Sequence, residues 1–149
     1  MRKILHMMSF VAISLLPSCS SGVEEMAAPS FHFREPLAKW GSTSSEVKSY
    51  MDGYGLIAES GYSLTYRGRD SETGYLYAFS GPGIGFCYAV VSFNLSHREA
   101  LLSFLRNSYQ LKGSADGNYV FTDPVRGTVI TMTSDDEVYL TYRSQAAFQ

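Results

Sequence analysis

From Trp40 onward, the apolar positions fall into two sets at helical spacing, each followed by three runs that alternate apolar and polar residues. Val47, Tyr50, Tyr54 and Leu56 superimpose on Leu102, Leu105, Tyr109 and Leu111 at a constant offset in numbering of 55. The first three members of each set share one helical face. The alternating runs continue the match. Leu64 and Tyr66 lie over Tyr119 and Phe121, again offset by 55; Leu76, Tyr77 and Phe79 lie over Val129, Ile130 and Met132, offset by 53; Ala89, Val91 and Phe93 lie over Val138, Leu140 and Tyr142, offset by 49. Loops absorb such drift in length, and preserved parity keeps the same side of each strand facing the core.

The pattern predicts an α-β-β-β unit repeated in tandem, about residues 40–94 and 95–145. Thr43-x-x-Glu46 and Ser96-x-x-Glu99 each fit a capping box ahead of a predicted helix. Gly53 and Asn107 are poor helix interiors and place the helix ends near Tyr54 and Tyr109. Turn residues gather at 68–74, 81–85, 113–117, 123–127 and 134–137. Strands joined by tight turns pair antiparallel. The expected fold is therefore a two-layer α+β domain, with an antiparallel sheet of up to six strands and both helices on one face.

This outline resembles the β-lactamase-inhibitor-like fold and the small lipoproteins of outer-membrane assembly. Trp40-Gly41-Ser42, leading into a helix with Glu46-Val47, is similar to a pattern in short Bacteroidetes lipoproteins. The assembly lipoproteins place two helices before their strands where one is visible here. The resemblance thus implies an envelope protein and a fold outline, with no particular partner.

The start of the chain points the same way. Arg2 and Lys3 precede an apolar run from Ile4 to Leu16, broken by His6, Ser9 and Ser14, and then Leu16-Pro17-Ser18-Cys19. A basic stretch, a short apolar run and small residues describe a secretory signal over residues 1–18, since the run is too short for a permanent span. The last four residues resemble a bacterial lipobox, which would acylate Cys19; Pro17 departs from the small residue usual at its position. Glu24 and Glu25 resemble the acidic residues near the anchor of surface-exported lipoproteins. Residues 19–39, with two prolines and no sustained period, read as a tether. The expected location is the bacterial cell envelope, as an outer-membrane lipoprotein held by its N-terminal lipid.

Cleavage ahead of Cys19 leaves a chain the size of one self-sufficient domain. Its acidic residues, 14 in all, outnumber the basic ones, which are 12 even with Arg2 and Lys3 included. That balance argues against a nucleic-acid partner. With Cys19 acylated, Cys87 is the one remaining thiol, so the core must hold the domain without a disulfide.

Catalytic chemistry is sparse. Of three histidines, His6 leaves with the signal, His32 lies in the tether, and His97 sits in the first turn of the second helix. Cys87 shares parity with Ala89 and is expected in the core, where a thiol is inert. Gly81-Pro82-Gly83-Ile84-Gly85 reads as a hairpin connection, because a phosphate loop needs backbone amides and a following helix. Asp135, Asp136 and Glu137 match no calcium loop, and zinc spacing is absent. No catalytic residue, cofactor or metal is assigned; a hydrolase or transferase of unrecognised type is the rival class. What remains is the sheet face turned from the helices. By parity it carries Ser63, Thr65, Arg67, Leu76, Ala78, Tyr88, Val90, Val120, Thr122, Val129, Thr131, Tyr139, Thr141 and Arg143. Its hydroxyl-rich, partly aromatic surface fits recognition of a protein or glycan, with Tyr88 and Tyr139 as an aromatic patch flanked by Arg67 and Arg143.

Overall fold

The computed structural model describes residues 33–148. The helices are α1 (Ser44–Tyr50) and α2 (Arg98–Ser108). The strands are β1 (Gly55–Glu59), β2 (Ser63–Arg67), β3 (Gly74–Gly81), β4 (Ile84–Asn94), β5 (Gln110–Ala115), β6 (Asn118–Asp123), β7 (Thr128–Ser134) and β8 (Glu137–Ser144). They form one sheet in the order β1-β2-β3-β4-β8-β7-β6-β5, antiparallel throughout. This corrects the expected six strands to eight and the repeating unit to α-β-β-β-β. The strands missed in the sequence are the two outermost, β1 and β5. All their residues are exposed, so no alternation of burial marks them. Leu56 and Leu111, read as the last members of the helical sets, belong to these edges.

The strand registers relate the two halves more closely than the sequence superposition does. Gly55 faces Arg67 as Gln110 faces Thr122, and Leu56 faces Tyr66 as Leu111 faces Phe121, with the same offset of 55 in every equivalent pair. A bulge follows in both, skipping Ile57 in β1 and Lys112 in β5. Leu64 faces Tyr77 as Tyr119 faces Met132, so the third strands also match at 55, not 53. Tyr77 faces Ala89 as Met132 faces Leu140, which sets the fourth strands at 51, not 49. A single difference in length, in the last hairpin, replaces the two deletions expected. The sequence superposition slips by two in these strands, which leaves parity unchanged and so leaves the assignment of faces intact.

One face of the sheet carries the core. Leu64, Tyr77, Ala89, Tyr142, Ile130 and Phe121 form one buried row across six strands. Val47 from α1, Met51 at its C-terminal cap, and Leu101, Leu102 and Leu105 from α2 pack onto this face. Each fully buried Leu or Phe contributes roughly 1.5–3 kcal/mol. The Thr43 cap forms as expected: its hydroxyl accepts from the Glu46 amide, and the Glu46 carboxylate accepts from the Thr43 amide. The second capping box does not form. Asn94 accepts from the Ser96 amide at 2.9 Å and starts a 3-10 turn, Leu95–His97, so α2 begins at Arg98 without a side-chain cap. Helix α1 stops at Tyr50, short of Tyr54, and Gly53 turns the chain at φ +82°.

Residues 33–39, read from sequence as part of a tether, form a strap packed against this layer. Phe33 meets Phe93 and Phe104 edge-on at 5.1 and 5.3 Å. The Arg34 amide donates to the Tyr75 hydroxyl at 3.2 Å, and the Tyr50 hydroxyl donates to the Glu35 carbonyl at 2.6 Å. Glu35 accepts from the Tyr109 hydroxyl, and Pro36 is buried. Beyond the strap, Trp40 stacks on Phe86 at 5.0 Å. The signal-like segment, Cys19, Glu24, Glu25 and His32 lie outside the described residues.

Candidate functional site

The open face is built by the alternate residues of the same strands that make the core. Three rows cross it. The middle row runs Thr65, Leu76, Val90, Thr141, Thr131 and Val120, all partly buried and none charged. A second row runs Ser63, Ala78, Tyr88, Arg143, Val129 and Thr122; the third contains Arg67, Gly74, Ser92 and Tyr139. The helices pack on the opposite face, and on this one Ala78 and Thr122 are themselves buried.

The register decides which of the four expected site residues meet. Tyr88 faces Arg143 across β4 and β8, and the Arg143 guanidinium lies 5.7 Å from the Tyr88 ring centroid. Such a contact contributes about 0.5–1 kcal/mol at an exposed site. Tyr139 instead faces Ser92, four residues along β4 from Tyr88, roughly 13 Å away at about 3.3 Å per residue. A single aromatic patch is therefore corrected to two separate tyrosines. Arg67 shares a row with Tyr139, but Gly74 and Ser92 stand between them, roughly 14 Å at about 4.8 Å per strand. The Ser92 hydroxyl fills the space beside Gly74, 2.7 Å from where a Cβ would lie.

Cys87 is also corrected. Ala78 faces Tyr88 and Phe79 faces Phe86, so Cys87 is the extra residue of a bulge, half-exposed, with its thiol donating to the Ala78 carbonyl at 3.3 Å. Because the bulge shifts parity, Phe86 takes the core position that alternation had given to Cys87. His97 ends the 3-10 turn, with Nε2 3.8 Å from a Glu72 carboxylate oxygen. The Gly81–Gly85 segment is the β3–β4 hairpin. Gly83, at φ +65°, donates its amide to the Gly61 carbonyl at 2.6 Å, and its own carbonyl accepts from the Ser44 amide at 2.8 Å. It thus satisfies the N-terminus of α1 instead of offering it to a ligand. The acidic trio forms the β7–β8 turn, with the Asp135 amide donating to the Glu137 carbonyl at 3.0 Å.

On the helical side, at one end of the strap, lies a cavity of about 590 Å³ that the sequence did not reveal. Arg34 and Phe33 reach it from the strap, Tyr54 from the turn after α1, Arg69 and Asp70 from the β2–β3 turn, and Tyr75 from β3. Tyr54 meets Tyr75 edge-on at 5.6 Å. Burial raises the Tyr75 hydroxyl above the usual tyrosine range, aided by the nearby Tyr54, so it remains a neutral donor and acceptor. Asp70 is tied to the turn, accepting from the Thr73 amide at 2.9 Å and the Thr73 hydroxyl at 2.7 Å. No short motif joins these positions, because they converge from three separate segments.

No family model, curated protein or solved structure matches the chain.

Proposed function

We propose that this protein is a non-enzymatic, lipid-anchored domain of the bacterial cell envelope that holds a protein or glycan partner on its open sheet face. The observation that carries the reading is the uncharged middle row, Thr65 to Val120, bordered by the Tyr88–Arg143 pair. A face meant only for water would carry more charge, and a face meant only for packing would carry no arginine. Threonine and tyrosine present apolar area with a hydroxyl attached, and interface energy concentrates in Tyr and Arg. Anchoring rests on the signal-like start and Cys19.

The test is affinity capture by the full-length chain from solubilised native envelopes, comparing wild type with Tyr88→Ala/Arg143→Ala. The expected result is loss of a saturable partner, with a thermal midpoint within a few degrees of wild type. Unchanged capture by the folded variant would reject the face as the binding surface. In parallel, Cys19→Ala should abolish labelling by a fatty-acid analogue and release the protein, or its uncleaved precursor, from lipid attachment.

A further inference from the structure

The geometry points to a second binding site: the cavity between strap, α1 turn and β2–β3 turn takes a small ligand bearing a single carboxylate. Its volume of about 590 Å³ falls within the range of roughly 300–1,000 Å³ for small-molecule sites. Two arginines line it from different segments. The Arg34 guanidinium lies 4.5 Å from the Tyr50 ring centroid and 5.7 Å from that of Tyr54, and the Arg69 guanidinium lies 5.3 Å from the Tyr54 centroid. Ring contact, joined at Arg34 by a hydrogen bond to the Tyr50 side chain, holds each guanidinium, which with five N–H donors keeps others for a carboxylate. Gly53 makes room for this arrangement, since a Cβ there would lie 3.1 Å from Arg69 Nη2.

Neither guanidinium has a carboxylate within ion-pair distance among the described residues, whereas Arg98 pairs with Glu99 and Arg126 with Glu35 and Asp123. Two cations beside one tyrosine repel each other, and an anion between them would relieve that repulsion. The third charged group on the wall decides which anion. Asp70, ionised and held by Thr73, brings the lining among the described residues to a net charge of +1. A monocarboxylate balances that charge, while a phosphate dianion would overshoot it beside a fixed carboxylate. Phe33, Tyr54 and Tyr75 give the ligand's carbon skeleton an apolar wall. A free organic acid and the acidic sugar of a glycan share this chemistry.

The inference is tested by calorimetric titration of the folded full-length chain with acetate, glucuronate, glucose and inorganic phosphate. Saturable binding of a carboxylate is expected, with no response to glucose. Arg34→Met and Arg69→Met should each weaken it about tenfold or more, and Arg69→Lys by less. Arg69 is exposed, so its variants remain informative if Arg34→Met lowers the thermal midpoint. Acetate binding as tightly as glucuronate assigns the site to free acids; tighter glucuronate assigns it to acidic sugars. The proposal is overturned by no saturable response to either carboxylate up to about 10 mM, a concentration that already covers weak binding. Tighter binding of phosphate, or full affinity in a folded Arg69→Met variant, would also overturn it. The cavity lies away from the open face, so failure here leaves the partner-binding reading to its own test.

Discussion

Tyr54 and Tyr109 occupy equivalent places behind the two helices and meet neighbouring strap residues of opposite charge. Tyr54 lies beside the Arg34 guanidinium, and Tyr109 donates its hydroxyl to the Glu35 carboxylate. The two halves thus share one strap, which uses equivalent tyrosines in different ways. Tyr142 approaches the same Glu35 oxygen at 3.5 Å, and Arg126 reaches the other carboxylate oxygen at 3.7 Å.

Breaking this contact should loosen the strap. A hydrogen bond to a charged group contributes about 1.5–3 kcal/mol, so Glu35→Ala should cost that much in urea denaturation. Tyr109→Phe should cost less when Glu35 is already gone than it does alone, by about 1 kcal/mol in a double-mutant cycle. Additive losses would show that the two side chains act independently.

The helical face of α2 offers a sharper stability test. Leu102 is almost fully buried with Leu101 and Leu105, and truncation of such a leucine costs about 2–5 kcal/mol. Leu102→Ala should therefore lower the denaturation midpoint strongly, whereas His97→Ala, at the partly exposed turn before α2, should change it by less than about 0.5 kcal/mol. Equal small effects at both sites would contradict the packing described.

Acid should act on the cap of α1. The hydrogen bond from Lys39, at 2.5 Å, and that from the Thr43 amide lower the Glu46 carboxyl from 4.5 to about 2. A carboxylate with a depressed folded-state value stabilises above its ordinary range and loses that contribution as pH falls through its folded value. Thermal midpoints of wild type and Glu46→Gln should therefore differ at neutral pH and converge as pH drops from about 4.5 to about 2. A constant difference down to acid would rule out the charged form as the source.

Elements with one buried side were legible in the sequence because burial and alternation coincide there, as in Leu64-x-Tyr66 and Val138-x-Leu140-x-Tyr142. The outer strands were not, because an exposed edge such as Gln110–Ala115 has no inner side to select for apolar residues. Cys87 was misplaced because a bulge breaks the period on which parity depends. Asn94 took the capping role expected of Ser96 because the chain first makes a 3-10 turn. On the open face, parity identified the right residues, but only the register showed that Tyr88 meets Arg143 and leaves Tyr139 apart. The arginine-lined cavity was hidden for another reason: Arg34 belongs to a segment outside the helices and strands, whose packing leaves no period.

The sheet order has a consequence for how the chain reaches its fold. Seven pairings join the eight strands, and six of them are hairpins between successive strands; β4 with β8 is the exception. Each half can zip up locally, strand by strand, with little loop-closure cost. The β4–β8 ladder closes a loop that holds α2 and three further strands, so it carries the largest closure cost of the seven pairings. The middle of the sheet is therefore its most non-local seam, and the Tyr88–Arg143 contact spans it.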